Sequence, residues 1–157
     1  MKRLLECALV ILLAASSREA GKRHSTLRAH AEANSHDTGV FSTQLQSQAA
    51  GRKVTIEKVP TISEFDVASF RPYAAGDGTF GAVFQLNDHG KLALDTLSVD
   101  RRGTMLYVFI NGRPAAELQI DRRVSDGKLY VASGLTAADL ELMKADWPLP
   151  GASRKRP

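Results

Sequence analysis

From about residue 51 onward, the apolar positions of the chain fall into short rhythmic runs. Val54, Ile56 and Lys58 alternate with Thr55, Glu57 and Val59, which predicts a short strand or extended lead-in that Pro60 ends or pushes to a sheet edge. Asp66 to Tyr73 is a second extended stretch. Beyond it, Phe80, Ala82, Phe84 and Leu86 share one side of a two-residue period, so the Asp77-Gly78 dipeptide between the two runs predicts a hairpin turn. The rhythm then turns helical, with Leu86, Gly90, Leu94 and Leu97 spaced four, four and three residues apart. Asn87 or Asp88 can cap the start, Arg101 and Arg102 complement the negative end, and Gly103 stops the helix. Glycine inside a helix costs about 1 kcal/mol relative to alanine, so Gly90 is expected in the first turn or against a close neighbour.

Met105 to Ile110 reads MLYVFI, an uninterrupted apolar run that predicts a strand covered on both faces or central in its sheet. Asn111-Gly112 favours a tight reversal. Ala116, Leu118 and Ile120 then alternate with Glu117 and Gln119, giving a strand with one wet side. Asp126-Gly127 is another turn, leading into Leu129 to Ala132. Thr136 followed three residues later by Asp139 is close to a capping box, with Leu135 and Leu140 placed to staple across it, and the helix they open ends near Ala145, before Pro148. The order β-β-α-β-β-β-α, after a possible leading strand, predicts an α+β fold with a largely antiparallel sheet and both helices packed on one face.

The ends read differently. Residues 1–17 have a basic start at Lys2 and Arg3, an apolar run of near ten residues from Cys7 to Ala15, and small residues at Ala14 and Ser16. These are the parts of a secretory signal, too short to span a bilayer, and they predict an extracytoplasmic protein, periplasmic or secreted. Residues 18–50 carry hardly a large apolar side chain and are expected to be a disordered polar arm; residues 148–157 are expected to be a disordered basic tail. The folded domain is thus expected over residues 51–147. The net charge of +4 lies mostly in these arms. Acids and bases nearly balance between Arg52 and Trp147, which speaks against nucleic acid as a partner. A single cysteine, Cys7, allows no intrachain disulfide or thiolate metal site.

From about Val83 to Leu142 the chain resembles the head subdomain of the first periplasmic domain of SecD, the protein-export subunit. The resemblance rests on AVFQLNDHG, LYVFING, AELQI, SDGKLYVASGLT and AADLELM in that order. Two positions depart from the family pattern: Leu118 stands near a usual proline, and Asp126 replaces the first of two turn glycines. The several membrane spans on which SecD's proton-driven export depends are missing from this sequence. What the resemblance implies is therefore an extracytoplasmic module that shares the fold and a capacity to touch polypeptide or an envelope partner.

Candidate chemistry is sparse. GDGTFG, Gly76 to Gly81, has the spacing of a dinucleotide-binding loop, but a strand follows it where that loop needs a helix N-terminus. His24, His30 and His36 recur every six residues without a carboxylate or cysteine at zinc-site spacing. His89 is expected to be solvated or capping, with no serine or cysteine nucleophile tied to it. Asp95 and Asp100 do not share a helical face well, while Asp121 and Asp126 flank Arg122 and Arg123. The sequence therefore predicts a cleaved leader and a non-enzymatic interaction module without metal or cofactor, with no membrane contact unless the leader stays uncleaved. Its partner-binding candidates are Arg113, Arg122 and Arg123, whose guanidinium groups can grip carboxylates or phosphates. The alternative is a small secreted hydrolase or nucleotide-binding enzyme using Gly76 to Gly81 or the Asp121 to Asp126 cluster.

Overall fold

A computed structural model describes residues 24–34 and 39–151. The expected leader, with Cys7, and His36 lie outside the described residues. Nine strands and two helices follow in the order β1 (Leu27–Ala31), β2 (Ser42–Gln46), β3 (Lys53–Glu57), β4 (Ile62–Ser63), β5 (Val67–Ala74), β6 (Phe80–Leu86), α1 (Asp88–Asp100), β7 (Met105–Ile110), β8 (Arg113–Gln119), β9 (Lys128–Leu135) and α2 (Ala137–Asp146) among the described residues. Every ladder is antiparallel. The fold is α+β, and from β5 to α2 its element order is the one the hydrophobic rhythm predicts.

The strands divide among three sheets, ordered β4-β1-β7-β8, β2-β3 and β5-β6-β9, where the sequence predicts one. The break comes at β9. Although β7 and β8 form a hairpin through Asn111-Gly112, β9 leaves β8 and pairs with β6, Ala82 opposite Val131 and Phe84 opposite Leu129. Inward side chains of the two larger sheets meet in one core. Phe70 and Phe84 stack with centroids 6.2 Å apart, and Trp147 packs edge-on against both at 6.2 and 5.9 Å. Leu94 and Leu97 of α1 enter the same core, as do Leu140 and Met143 of α2.

The largest correction concerns the arm. Residues 27–31 are the second strand of the four-stranded sheet, laid between β4 and β7, with Leu27, Ala29 and Ala31 each 0% exposed. Its partners lie far along the chain, Ala31 opposite Leu106. Ser42–Gln46 is also ordered, pairing with β3. The β2-β3 hairpin then explains the uninterrupted apolar run of β7. Leu106, Val108 and Ile110 face the main core, while Tyr107 is buried with Val54 and Ile56 in a second cluster that Met105 and Phe109 border. The folded unit thus begins well before residue 51. It also extends past 147, because the Phe70 N–H donates to the Pro148 carbonyl at 3.2 Å.

Local chemistry sets the helix starts. Asn87 caps α1 by accepting from the Gly90 N–H at 2.9 Å, and its amide donates to the Phe65 carbonyl. Gly90 sits in the first turn, as expected, and a Cβ there would stand 2.7 Å from Asp66 Cβ. At α2 the capping box is complete: the Thr136 hydroxyl accepts from the Asp139 N–H, and the Asp139 carboxylate accepts from the Thr136 N–H at 2.9 Å.

Candidate functional site

Because β9 abandons β8, two strand edges stand beside each other unjoined. Among the described residues β8 pairs with β7 and β9 with β6, and neither pairs with the other. Between the end of β8 and the start of β9 lies a cleft of about 420 Å³, within the range of ligand pockets. Its lining is largely apolar: Leu94 of α1, Leu106 of β7, Leu118 and Ile120 on one side, Leu129 and Tyr130 on the other. Residues 121–126 form its rim.

That rim has no regular structure, yet it is fastened to α1. The buried Ser98 hydroxyl accepts from the Val124 N–H at 2.9 Å while donating to the Asp95 carbonyl at 2.8 Å. Arg123 grips Asp95 with two hydrogen bonds of 2.6 and 2.8 Å, which hold that carboxyl below its ordinary range. Arg102 donates to the Asp121 carbonyl, and the Gln85 amide reaches the Asp126 and Gly127 carbonyls. Arg122 is different. It lines the cleft, is exposed, and makes no ion pair or hydrogen bond among the described residues.

The three arginines expected to bind a partner therefore separate. Arg113 lies away from the cleft at the start of β8 and donates to Asp139 at 2.5 Å, holding the start of α2. Burial works against the charge on Asp139, but hydrogen bonds from the Thr136 backbone and hydroxyl, Asn111 and Arg113 outweigh it and lower its pKa to about 2. Arg123 is engaged within the chain, and Arg122 alone is free to meet a ligand's anion.

The other candidates have local partners. GDGTFG forms the β5-β6 turn: the Asp77 carboxylate accepts from the Thr79 N–H at 2.9 Å and hydroxyl at 2.6 Å, and strand β6 follows. Gly81 is required by packing, since a Cβ there would stand 2.4 Å from the Ala132 carbonyl oxygen and 2.5 Å from the Tyr73 ring. His89 donates to Asp66 at 2.7 Å, His24 to Asp146 at 2.9 Å, and His30 to the Glu57 carbonyl at 2.8 Å. Among the described residues no three His, Cys, Asp or Glu side chains are grouped to hold a metal ion. Asp95 and Asp100 are not brought together as a pair; Asp95 serves Arg123. No motif or spacing signals the cleft, which exists because β9 pairs with β6.

No protein-family model matches the chain, and no curated protein matches its sequence. The fold is similar to solved structures of SecDF, one described as a membrane component that enhances protein export (TM-score 0.54, 16% identity, covering 82% of this chain and 66% of that one). A second, SecDF in a super-membrane-facing form, gives TM-score 0.54 at 12% identity, covering 82% of this chain and 20% of that one. This chain thus spans just under two thirds of the first and a fifth of the second. At such identities the likeness is one of fold. Among the described residues no helix is long and apolar enough to cross a membrane.

Proposed function

We propose that this chain is a non-enzymatic extracytoplasmic module, like the head of the first periplasmic domain of SecD, that takes an extended segment of polypeptide into the cleft between β8 and β9. The observation that carries this reading is the open cleft over an apolar floor where the end of β8 parts from the start of β9, the two strands being in contact farther along, at Ala115 and Gly134. An added strand can bond its backbone to an exposed edge, gaining affinity without regard to sequence. Alternate side chains of that strand would point to the floor, where burying one leucine-sized group contributes about 1.5–3 kcal/mol. Arg122 would favour an acidic residue near the rim. The SecDF of similar fold is described as enhancing protein export; a module that handles unfolded chain outside the cytoplasm fits that setting.

The test is calorimetry with a permanently unfolded polypeptide, reduced and carboxymethylated, against the full chain. Saturable binding is expected, lost in Leu118→Arg, which fills the cleft, and weakened in Arg122→Glu. Binding equal in all three proteins, or none to the unmodified chain, would refute the proposal.

A further inference from the structure

The outer edge of β2 is unguarded. Among the described residues β2 pairs with β3 and with no other strand. The Lys58 N–H donates to the Phe41 carbonyl at 2.9 Å and the Ser47 N–H to the Arg52 carbonyl at 3.0 Å, so Phe41, Thr43, Leu45 and Ser47 turn their backbone groups toward β3. In an antiparallel ladder the residues between them face the other way, and the N–H and carbonyl groups of Gln44 and Gln46 therefore point out along an open edge. Other edges are blunted. On β5 the outward Phe70 N–H is taken by the Pro148 carbonyl, and Pro72, two residues on, has no N–H to offer. β4 is two residues long, and on the far side of β3 the Thr55 carbonyl accepts from the Ala33 N–H at 2.9 Å. Ser42–Gln46 reads STQLQ, with neither a charge nor a proline to repel a neighbour.

This edge is complementary to itself. A second copy laid antiparallel about Gln44 places Gln44 opposite Gln44, each exchanging both backbone hydrogen bonds with the other, and Thr43 opposite Leu45. On the inner face β3 sets Ile56 beside Thr43 and Val54 beside Leu45, so the joined rows run Ile56, Thr43, Leu45, Val54 across four strands about 4.8 Å apart. Leu45 is half-buried in its own chain, and the added strand completes its cover. On the outer face each row ends in Glu57 on one side and Lys53 on the other, so no like charges meet. The ends of the edge match as well. Val40 and Phe41 are 70% and 68% exposed, and the same register brings Phe41 opposite Ser47, against the turn that Gln48, Ala49 and Ala50 begin. The two-fold axis repeats that contact at both ends. A guest of arbitrary sequence could bond to Gln44 but carries no such turn to cover Val40 and Phe41, and pairing of two copies uses both edges and closes the assembly.

We propose that the chain forms a two-fold dimer through antiparallel pairing of β2 with β2 of a second copy. The test is sedimentation velocity of the full chain over a wide range of concentration, with charges placed at the two-fold axis. The unmodified chain is expected to pass from monomer to dimer. Gln44→Lys and Gln44→Glu each set like charges directly opposite, about 5.5 Å apart between Cα atoms, and each is expected to weaken association roughly tenfold. An equimolar mixture of the two is expected to associate at least as tightly as the unmodified chain, a recovery that only the Gln44-to-Gln44 register gives. Arg122→Glu, at the rim of the cleft, is expected to leave self-association unchanged, which separates this contact from the binding of polypeptide. The proposal is overturned by a chain that stays monomeric at every concentration, by self-association that both Gln44 variants retain, as contact through the apolar leader would give, or by a mixture no tighter than its components. Gln44 is exposed, and thermal melts check each fold. A variant that fails to fold is replaced by Thr43→Arg, which sets a charge against Leu45 of the other copy and is expected to weaken association likewise.

Discussion

Asp139→Asn tests how much of the fold hangs on one buried carboxylate. Asp139 is 5% exposed. It accepts hydrogen bonds from the Thr136 N–H and hydroxyl, from Asn111 and from Arg113, at distances between 2.5 and 2.9 Å. It thereby ties the start of α2 to the β7-β8 hairpin. A carboxyl that loses its proton near 2 in the fold, against 3.8 ordinarily, contributes about 2.5 kcal/mol at neutral pH. The sign follows from the lowered value: this stability is fully present above about pH 4 and is lost as pH falls through about 2. Asparagine keeps the shape but removes the charge, so a loss of about 2 kcal/mol is expected at pH 7. Urea titrations followed by the emission of Trp147, the chain's one tryptophan and a core residue, measure it directly. The difference between the two proteins should fall to roughly half by pH 3. Arg113→Gln should cost less, because Arg113 is half exposed and only one of four partners. Equal stability at pH 7, or a gap that persists undiminished near pH 2, would refute the reasoning.

Two further substitutions test the packing. Gly81→Ala places a methyl 2.4 Å from a backbone oxygen and 2.5 Å from the Tyr73 ring, so a loss of about 1–3 kcal/mol is expected in the same titration; an unchanged midpoint would contradict the close approach. Ala29→Asp puts a carboxylate at a position with no exposure in the middle of a sheet, a burial without a partner that costs several kcal/mol. Circular dichroism should show an unfolded chain at neutral pH, whereas a dispensable arm would leave the melting temperature where it was.

What could be read from the sequence was what local chemistry decides. The β5-β6 hairpin, the Asn87 cap, the stop at Gly103 and the Thr136-Asp139 box each depend on residues close together in the chain. The run Met105 to Ile110 announced a strand covered on both sides because its apolar pattern has no gap. Leu27–Ala31 gave no such sign. Its buried positions include two alanines, which carry little hydrophobic signal, and its interior place comes from partners some 75 residues away, as in Ala31 opposite Leu106. The departure of β9 was equally hidden, since a glycine turn after β8 is compatible with pairing to β8 or with crossing to β6. The cleft depends on that choice, so neither its existence nor the separate roles of Arg113, Arg122 and Arg123 could be read from spacing.

A guest segment seated in the cleft would lie against the end of β8 and the start of β9. Hydrogen exchange of the full chain, with and without a saturating unfolded polypeptide, tests it at those backbones. Protection is expected to rise at the end of β8, residues 118–120, and at the start of β9, residues 128–130, with β2 and β3 exchanging as before. Protection confined to β2 or to α1, with β8 and β9 unaltered, would contradict it.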